Sequence, residues 1–319
     1  MSWNVLIADG LEEAGIQILQ AHGIRTVSQH LDAEALVDVL PSYQGIVVRS
    51  ATQVRKALID RCPSLRFIAR AGVGLDNIDA EYAKNRGIAV LNTPASSSRS
   101  VAELALGHML TLARGLQRSN RELDGPERFR SLKKQLSSST ELRDKVLLLV
   151  GFGRIGRELG QMAIGMGMDL LASDPFVREA HLEWAVAKTA LRVSVPLVSI
   201  EEGLAHADYI SLHAPYIGEP VIHSGNIGLC KPGAHLINTS RGENIDEEAL
   251  LTALNANKLG GAGLDVFSKE PDLRRELIAH PKVSHTPHIG ASTLEAQERI
   301  ALELASQIVA LCDKETFSS

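Results

Sequence analysis

Three polar residues in the last third of the chain have side chains suited to acid–base chemistry. Arg241 directly follows the apolar run HLINTS, Glu270 lies in the segment GLDVFSKEP, and His288 lies in SHTPHIGAST. A histidine supplies a base of near-neutral pKa, and a carboxylate against its other ring nitrogen favours the charged imidazolium. A guanidinium can hold a carboxylate through two hydrogen bonds. The three types therefore predict an acid–base group beside a binding site for a carboxylate.

A glycine-rich turn upstream of these residues predicts a dinucleotide-binding site. The apolar run VLLLV leads directly into GFGRIG, and a helical pattern follows. In such a turn the glycines allow a tight bend, close approach of a pyrophosphate and close packing of helix on strand. The helix N-terminus then faces the negative charge. The cofactor contacts expected in this turn are Gly151, Gly153, Arg154, Ile155 and Gly156.

The acidic residue that ends the next apolar run indicates which dinucleotide is bound. Asp174 follows Gly156 by 18 residues, where a carboxylate would accept hydrogen bonds from the adenosine ribose. The same charge would repel the additional phosphate of NADP. Arg178 is near in sequence and could offset that repulsion. The position of Asp174 thus favours NAD as the cofactor.

Short apolar runs that alternate with helical patterns predict the elements that position these groups. Such runs are typical of buried parallel strands, and intervening helices indicate an α/β fold with helices on both sheet faces. The runs are VLIAD, GIVVRS, LRFIAR and IAVLN in the first third, then VLLLV, LLASD, YISLH, HLINTS, AGLDV and VSHTP. A break near Asn92-Thr93-Pro94, where proline disfavours a preceding helix, predicts two doubly wound parallel sheets. Loops at the carboxyl ends of the later strands could then bring Arg241, Glu270 and His288 together.

Two segments lie between the predicted sheets. VAELALGHMLTLARGLQR, from Val101 to Arg118, reads as one long helix that is buried on more than one face. The polar stretch from Asp124 to Thr140 is expected to be a mobile connection, and we assign it no chemistry.

Composition limits the function classes. Apolar residues make up 45% of the 319 and charged residues 22%, which fits a folded globular chain. The net charge of -5 argues against a nucleic-acid binder. Three widely spaced cysteines indicate a reducing compartment. We read no signal peptide and no apolar stretch long enough to span a bilayer, and expect a cytoplasmic protein without a metal site.

Taken together, these segments resemble the D-2-hydroxyacid dehydrogenase family, nearest to its D-3-phosphoglycerate dehydrogenase branch. The resemblance covers nearly the whole chain. The matching segments are VVRSAT (Val47 to Thr52), RAGVGLDNID (Arg70 to Asp79), NTPASSSRSVAE (Asn92 to Glu103), VGFGRIGRE (Val150 to Glu158), NTSRG (Asn238 to Gly242), GLDVFSKEP (Gly263 to Pro271) and TPHIGAST (Thr286 to Thr293).

The resemblance implies further roles. It implies that Arg241, Glu270 and His288 form the catalytic triad. It implies a Rossmann NAD-binding domain, residues 99–286, inserted in a flavodoxin-like substrate domain formed by residues 1–98 and 287–319, and a homodimer. Substrate contacts carried over by position are Arg49, Arg70, Ala71, Gly72, Val73 and Gly74, whose backbone amides would hold the substrate carboxylate. Further cofactor contacts carried over by position are Ala214, Thr239, Ser240, Arg241 and Asp265.

The chain also departs from the phosphoglycerate branch. Gln53 stands where that branch often has lysine, and Ser97 where it often has asparagine; both changes bear on recognition of a substrate phosphate. The threonines usual after the His-x-Pro turn are missing from HAPYIGE. Because the sequence ends at Ser319, we expect no C-terminal regulatory domain.

Several functions stay open at this stage. The substrate expected first is a small anionic acid like 3-phosphoglycerate, with hydroxypyruvate or glyoxylate and sulfolactate-type acids as alternatives. An NAD-sensing binding protein on the same fold would bind NAD with little turnover. A structural or interaction protein, using the helix from Val101 to Arg118, would leave the polar cluster unexplained. Each of the three polar residues alone could also be structural, and only their joint occurrence behind the glycine turn favours catalysis.

Overall fold

The computed structural model describes residues 3–186 and 189–317 of the chain. The strands are β1 (Asn4–Ile7), β2 (Arg25–Ser28), β3 (Gly45–Val48), β4 (Phe67–Arg70), β5 (Ala89–Asn92), β6 (Val146–Val150), β7 (Asp169–Ser173), β8 (Ala180–Val186), β9 (Thr189–Val195), β10 (Tyr209–Leu212), β11 (Ala234–Asn238), β12 (Leu259–Leu264) and β13 (Val283–His285). The helices are α1 (Glu13–Ala21), α2 (Ala33–Val39), α3 (Lys56–Asp60), α4 (Ala80–Asn85), α5 (Ser98–Arg114), α6 (Leu116–Glu122), α7 (Phe129–Gln135), α8 (Arg154–Gly165), α9 (Ile200–His206), α10 (Glu247–Asn255), α11 (Arg275–Ile278) and α12 (Leu294–Phe317).

These elements form two compact units. The first takes in the described residues of Met1–Ser98 and Ala291–Ser319, and the second is Arg99–Gly290. The domain boundaries expected from the sequence, after residue 98 and after residue 286, stay predictions.

The first unit contains a parallel sheet in the strand order β2-β1-β3-β4-β5. This is the flavodoxin-like order expected for this part of the chain. Its central strands are apolar at successive positions because helices cover both faces, and Ile46, Val47 and Val48 are fully buried. The C-terminal helix α12 packs against α1 of this unit. A Cβ added at Gly15 of α1 would lie 2.8 Å from the carbonyl oxygen of Ala301, so glycine permits this close contact.

The second unit contains a parallel sheet in the order β13-β12-β11-β10-β6-β7. Beyond β7, a single parallel bridge joins Ala172 to Leu197. The N–H of Ala172 donates to Pro196 at 2.9 Å, and the N–H of Val198 donates to Ala172 at 2.9 Å. Leu197 thus occupies the place of the third strand in the 3-2-1-4-5-6 order of a Rossmann fold, and β13 adds a strand beyond the sixth position. The prediction of two parallel α/β sheets is confirmed.

The connection between β7 and this bridge was not predicted. Strands β8 and β9 form an antiparallel hairpin in which Trp184 pairs with Leu191. Apolar side chains at Leu182 and Val195 are buried and alternate with exposed Glu183 and Arg192. This two-residue alternation is the signal for a strand with one buried face, and it could have been read from the sequence. The short edge strand β2 was also missed because its residues, RTVS, are mostly polar.

The segment between the sheets differs from expectation in two ways. The helix predicted from Val101 to Arg118 is interrupted at Gly115, whose φ of 61° ends α5 and separates it from α6. The polar stretch expected to be a mobile connection is instead largely helical and contains α7 with Leu132 buried. Phe129, Leu132 and Leu136 recur at helical spacing, which the surrounding polar residues obscured.

Within residues 3–186 and 189–317, none of the helices combines the length and the apolar character needed to cross a bilayer.

Candidate active site

The glycine turn after β6 is shaped by contacts of its own backbone. Gly151 has a φ of 92°, and a Cβ there would lie 2.8 Å from the backbone nitrogen of Ala214. A Cβ at Gly156 would lie 2.3 Å from the carbonyl oxygen of Gly151, so the start of α8 rests directly on the turn. A Cβ at Gly153 would meet nothing within 4 Å. Open space therefore faces the backbone at the N-terminus of α8, where the first-turn N–H groups have no intrahelical partner. This cradle fits a pyrophosphate.

The carboxylate of Asp174 is held at the end of β7. Its Oδ2 accepts a hydrogen bond from the N–H of Phe152 at 2.8 Å, and its Oδ1 accepts one from the N–H of Phe176 at 2.9 Å. Each oxygen keeps a lone pair for a further donor. The bond to Phe152 ties the carboxylate to the glycine turn, so a ribose beside that turn would meet a fixed acceptor.

Two asparagines that the sequence analysis missed organise the turn after β11. The Oδ1 of Asn238 accepts from the hydroxyl of Ser240 at 2.8 Å, and its amide donates to the carbonyl oxygen of Arg241 at 2.8 Å. The amide of Asn244 donates to the carbonyl oxygen of Ala214 at 2.8 Å and to Ser240 at 3.0 Å. These bonds join two loops at the carboxyl edge of the sheet. The buried hydroxyl oxygen of Thr239 has no hydrogen-bond partner among the described residues, which fits a cofactor that supplies one.

Close backbone contact brings the loops of Arg241 and Glu270 together. A Cβ at Gly242 would lie 1.9 Å from the carbonyl carbon of Phe267, so only glycine fits between the two loops. The N–H of Phe267 donates to Oε1 of Glu270 at 3.0 Å, which fixes one oxygen of that carboxylate. The other oxygen of Glu270, Oε2, is free to bind His288.

That oxygen, Oε2 of Glu270, lies 2.7 Å from Nδ1 of His288. Because an ionised carboxylate only accepts hydrogen bonds, Nδ1 carries the proton and Nε2 is left for a substrate. His288 adopts a φ of 53°, unusual for a residue with a side chain. Its N–H donates to the carbonyl oxygen of Asp265 at 2.9 Å, which holds this conformation. The side chains of His288 and Glu270 are 49% and 35% exposed, so both stay within reach of a ligand.

The charges of this group shift one another's protonation. The hydrogen bond to Glu270 raises the pKa of His288 above its ordinary value, and the charge of Asp265 adds to this effect, whereas burial and Arg241 oppose it. Burial raises the pKa of Glu270, but hydrogen bonds from His288 and Phe267 and the charge of Arg241 outweigh it, so that pKa lies below its ordinary value. The structure therefore brings Arg241, Glu270 and His288 within electrostatic reach of each other.

The carboxylate of Asp265, predicted to contact the cofactor, has several protein donors. It is buried, and it accepts hydrogen bonds from the hydroxyl of Thr286 at 2.6 Å and from the N–H groups of Ile289 and Gly290, each at 2.8 Å. Asp265 is thus an anchor for the loop on which His288 lies.

The predicted carboxylate-binding loop lies in the first unit, after β4. Its first two N–H groups are already used, because Ala71 donates to Val48 and Gly72 donates to Arg70, both at 2.9 Å. The N–H groups of Val73 and Gly74 donate to no backbone or side-chain acceptor in residues 3–186 and 189–317. The set of four amides expected from the sequence therefore narrows to two that can bind an anion.

Comparison with known proteins agrees with this geometry. The model for "D-isomer specific 2-hydroxyacid dehydrogenase, NAD binding domain" matches residues 106–290. The chain is 40% identical over 313 residues to a hydroxypyruvate reductase of Thermotoga maritima, covering 96% of this chain and 97% of the relative. It belongs to the D-isomer specific 2-hydroxyacid dehydrogenase family. Like its relatives, it is an enzyme that acts on CH–OH groups.

Other relatives of this 2-hydroxyacid dehydrogenase differ in length and cofactor. It is 38% identical over 307 residues to the D-3-phosphoglycerate dehydrogenase of Synechocystis, covering 96% of this chain but 53% of the relative. It therefore spans about half the length of that relative. The D-lactate dehydrogenase of Aquifex aeolicus, solved with NAD and lactic acid, matches with a TM-score of 0.81 and 29% identity over 98% of this chain and 96% of that one. An NADPH-dependent glyoxylate/hydroxypyruvate reductase of Sinorhizobium meliloti matches with a TM-score of 0.81 and 26% identity over 97% and 94%.

One expected substrate residue of this dehydrogenase is presented on a well-fixed loop. The carboxylate of Asp9 accepts hydrogen bonds from the N–H groups of Arg49 at 2.7 Å and Thr52 at 3.0 Å. The amide of Asn77 donates to the carbonyl oxygen of Arg49 at 2.9 Å from the other side. The Arg49 guanidinium itself makes no hydrogen bond or ion pair with the part of the chain that the structure describes. Hydrogen bonds from both sides therefore hold the backbone of Arg49 in place, and its guanidinium stays available to a ligand.

The two departures from the phosphoglycerate branch have different surroundings. The Oε1 of Gln53 accepts a hydrogen bond from Arg55 at 2.7 Å, and the side chain is exposed. Ser97 is 1% exposed, and its hydroxyl has no partner among the described residues. Neither residue supplies the positive charge that lysine would bring.

Proposed function

We propose that this dehydrogenase transfers a hydride between NAD(H) and a small D-2-hydroxy acid or its 2-oxo acid. The observation that carries the proposal is the 2.7 Å hydrogen bond between His288 and Glu270, with the charge of Arg241 acting on both. A base whose tautomer is fixed by a carboxylate, beside a guanidinium, is the arrangement that the reaction needs.

In the direction of oxidation, Nε2 of His288 takes the hydroxyl proton of the substrate. Bound NAD supplies the acceptor for the hydride that leaves C2. The positive charge that forms on His288 is stabilised by Glu270 through the Nδ1–H. In the direction of reduction, protonated His288 returns this proton to the carbonyl oxygen. Arg241 is the proposed partner of the substrate carboxylate.

For the cofactor we propose NAD rather than NADP, although relatives of both kinds are known. The support is Asp174, whose carboxylate is fixed by two backbone N–H groups at the end of β7. A ribose hydroxyl would donate to it, whereas a phosphate at the same place would be repelled. The other proposed cofactor contacts are the glycine turn, Ala214, Thr239 and Ser240.

For the substrate we propose an acid whose third carbon bears an anionic or strongly polar group, with 3-phosphoglycerate first and hydroxypyruvate second. In the first unit, the N–H groups of Val73 and Gly74 are the proposed contacts of its carboxylate, and Arg70 would add positive charge. The Arg49 guanidinium has no protein partner in the described residues. A negatively charged group on the substrate could pair with it. The long hydroxypyruvate reductase match and the neutral Gln53 support the second candidate.

The test of catalysis is the loss of absorbance at 340 nm when NADH and a panel of 2-oxo acids are mixed with the purified protein. We expect turnover, and a loss of roughly 10²–10⁴-fold in kcat for His288→Ala with unchanged binding of NADH. Binding of NADH without turnover of any acid would instead indicate a sensing protein. A His288→Ala variant with near-normal kcat would refute the assigned base.

The test of substrate choice compares pyruvate, hydroxypyruvate and phosphohydroxypyruvate on wild type and on Arg49→Ala. If wild type prefers a charged acid and the variant does not, Arg49 binds the group on the third carbon of the substrate. Equal turnover of all three acids by both proteins would contradict it. The homodimer and the cytoplasmic location expected from the sequence stay predictions.

A further inference from the structure

A buried histidine outside the proposed catalytic group lies behind the loop that carries His288. His108 is on α5, is 3% exposed, and packs against β12. A Cβ at Gly263 of β12 would lie 2.6 Å from the Cβ of His108, and a Cβ at Gly261 would lie 2.9 Å from Leu112 one turn later. The two glycines on one face of β12 therefore let α5 approach closely enough for His108 to reach the neighbouring strand.

The imidazole of His108 joins two side chains of the β13 region. Its Nδ1 lies 2.9 Å from the hydroxyl oxygen of Ser284, and its Nε2 lies 3.2 Å from that of Thr286. Thr286 in turn donates to Oδ1 of Asp265 at 2.6 Å. Since an ionised carboxylate only accepts, the single hydroxyl proton of Thr286 is used on Asp265. Nε2 of His108 must then donate to Thr286, and Nδ1 is left to accept from Ser284.

The protonation of His108 agrees with this direction. Burial lowers the pKa of His108 below its ordinary value; the charge of His285 acts in the same sense, and the charge of Asp265 opposes it. A neutral imidazole with its proton on Nε2 has one donor and one acceptor, which are the two functions that its neighbours require. The chain Ser284, His108, Thr286, Asp265 is therefore directed from the hydroxyl of Ser284 to the carboxylate.

The carboxylate at the end of this chain holds the His288 loop. Asp265 also accepts the N–H groups of Ile289 and Gly290, and its carbonyl oxygen accepts the N–H of His288. The left-handed backbone of His288 thus depends on where Asp265 lies. The Asp265 carboxylate is in turn oriented by the hydroxyl of Thr286, and that hydroxyl is oriented by His108.

We propose that His108 is a positioning residue for the acid–base reaction. It orients Thr286 and Asp265, and through them it holds His288 against Glu270. The proposal rests on the role of His288 given above, and it adds a residue with no access to substrate or cofactor.

The test uses two polar substitutions that each keep one of the two hydrogen bonds. In His108→Gln, an amide nitrogen near the position of Nε2 can still donate to Thr286. In His108→Asn, the side chain reaches only the position of Nδ1 and can still bond Ser284. His108→Leu removes both. We expect His108→Gln to keep kcat within about threefold of wild type. We expect His108→Asn and His108→Leu to lose about tenfold, within the roughly 10²-fold that a 1 Å misplacement can cost.

The second readout is the pH at which oxo-acid reduction falls to half. Glu270, Asp265 and Arg241 are the charged groups that act on His288, and Asp265 is the one that His108 controls. In the Asn and Leu variants the negative charge of Asp265 is held less firmly, so this pH is expected to move downward. The Kd for NADH and the thermal unfolding temperature, measured for each variant, separate this effect from partial unfolding.

The outcomes distinguish this inference from the proposed function. If His288→Ala is inactive while His108→Asn, His108→Gln and His108→Leu all match wild type in kcat and pH profile, His108 has no positioning role and the function stands. Equal losses in the Gln and Asn variants, without a change in pH profile, would show that His108 acts through packing alone and would overturn the inference. If His288→Ala keeps its activity, the proposed function itself fails.

Discussion

Substitution of Gly242 by alanine tests whether the contact between two loops sets the catalytic geometry. The added Cβ would lie 1.9 Å from the carbonyl carbon of Phe267, about 1.5 Å short of the 3.4 Å at which ordinary van der Waals contact begins. Backbone lies on both sides, so no flexible side chain can move away. The two loops must therefore move apart by more than about 1 Å, which carries Arg241 away from Glu270. We expect kcat/KM to fall roughly 10²-fold and overpacking to destabilise the fold by about 1–3 kcal/mol.

The matched control is Gly107→Ala, the same change in the interior of α5, where an added Cβ would meet nothing within 4 Å. Alanine is favoured over glycine in a helix by about 1 kcal/mol, so this variant should unfold at a slightly higher temperature with normal kcat/KM. Both variants are measured by the NADH assay and by thermal unfolding. If kcat/KM of Gly242→Ala stays within threefold of wild type, the two loops can accommodate a methyl group without moving Arg241, and the reasoning is wrong.

Two further predictions concern charge. Glu270→Gln removes the main cause of the raised pKa of His288, and reduction needs protonated His288, so the pH above which reduction fails should move downward; a rate profile that stays in place would contradict the pairing. Asp174→Ala should raise the KM for NADH more than that for NADPH and so narrow the preference; a wild-type enzyme with higher kcat/KM for NADPH would refute the reading of Asp174.

Much of the fold could be predicted because its signals are local. Five successive apolar residues before GFGRIG gave strand β6 with its exact bounds. Other strands were found but were shifted by one to three residues at their ends, since hydrogen bonding to neighbours decides where a strand stops. Gly115 was visible as a glycine, but the sequence does not show that it adopts a left-handed φ of 61°, which ends α5.

The site was harder to predict in the parts that depend on packing between distant segments. Arg241, Glu270 and His288 follow strand ends and belong to types with known chemistry, so their grouping could be anticipated. Asn238, at the end of β11, and Asn244 could not, because the role of an asparagine side chain is not visible until its hydrogen-bond partners are known. The narrowing of the anion-binding loop to Val73 and Gly74 likewise depends on which N–H groups the neighbouring strand and turn already use.

The backbone of His288 is in a conformation that its residue type disfavours but that the geometry of the site requires. A left-handed backbone costs a residue with a side chain about 1–2 kcal/mol, whereas glycine adopts it without this cost. The cost is offset because the same conformation places the N–H of His288 on Asp265 and its ring on Glu270, while Ile289 and Gly290 donate to the Asp265 carboxylate. A glycine would relieve the strain and lose the imidazole. The strained residue is therefore retained where its side chain is needed, and the buried hydrogen bonds behind it stabilise a conformation that the local sequence does not favour.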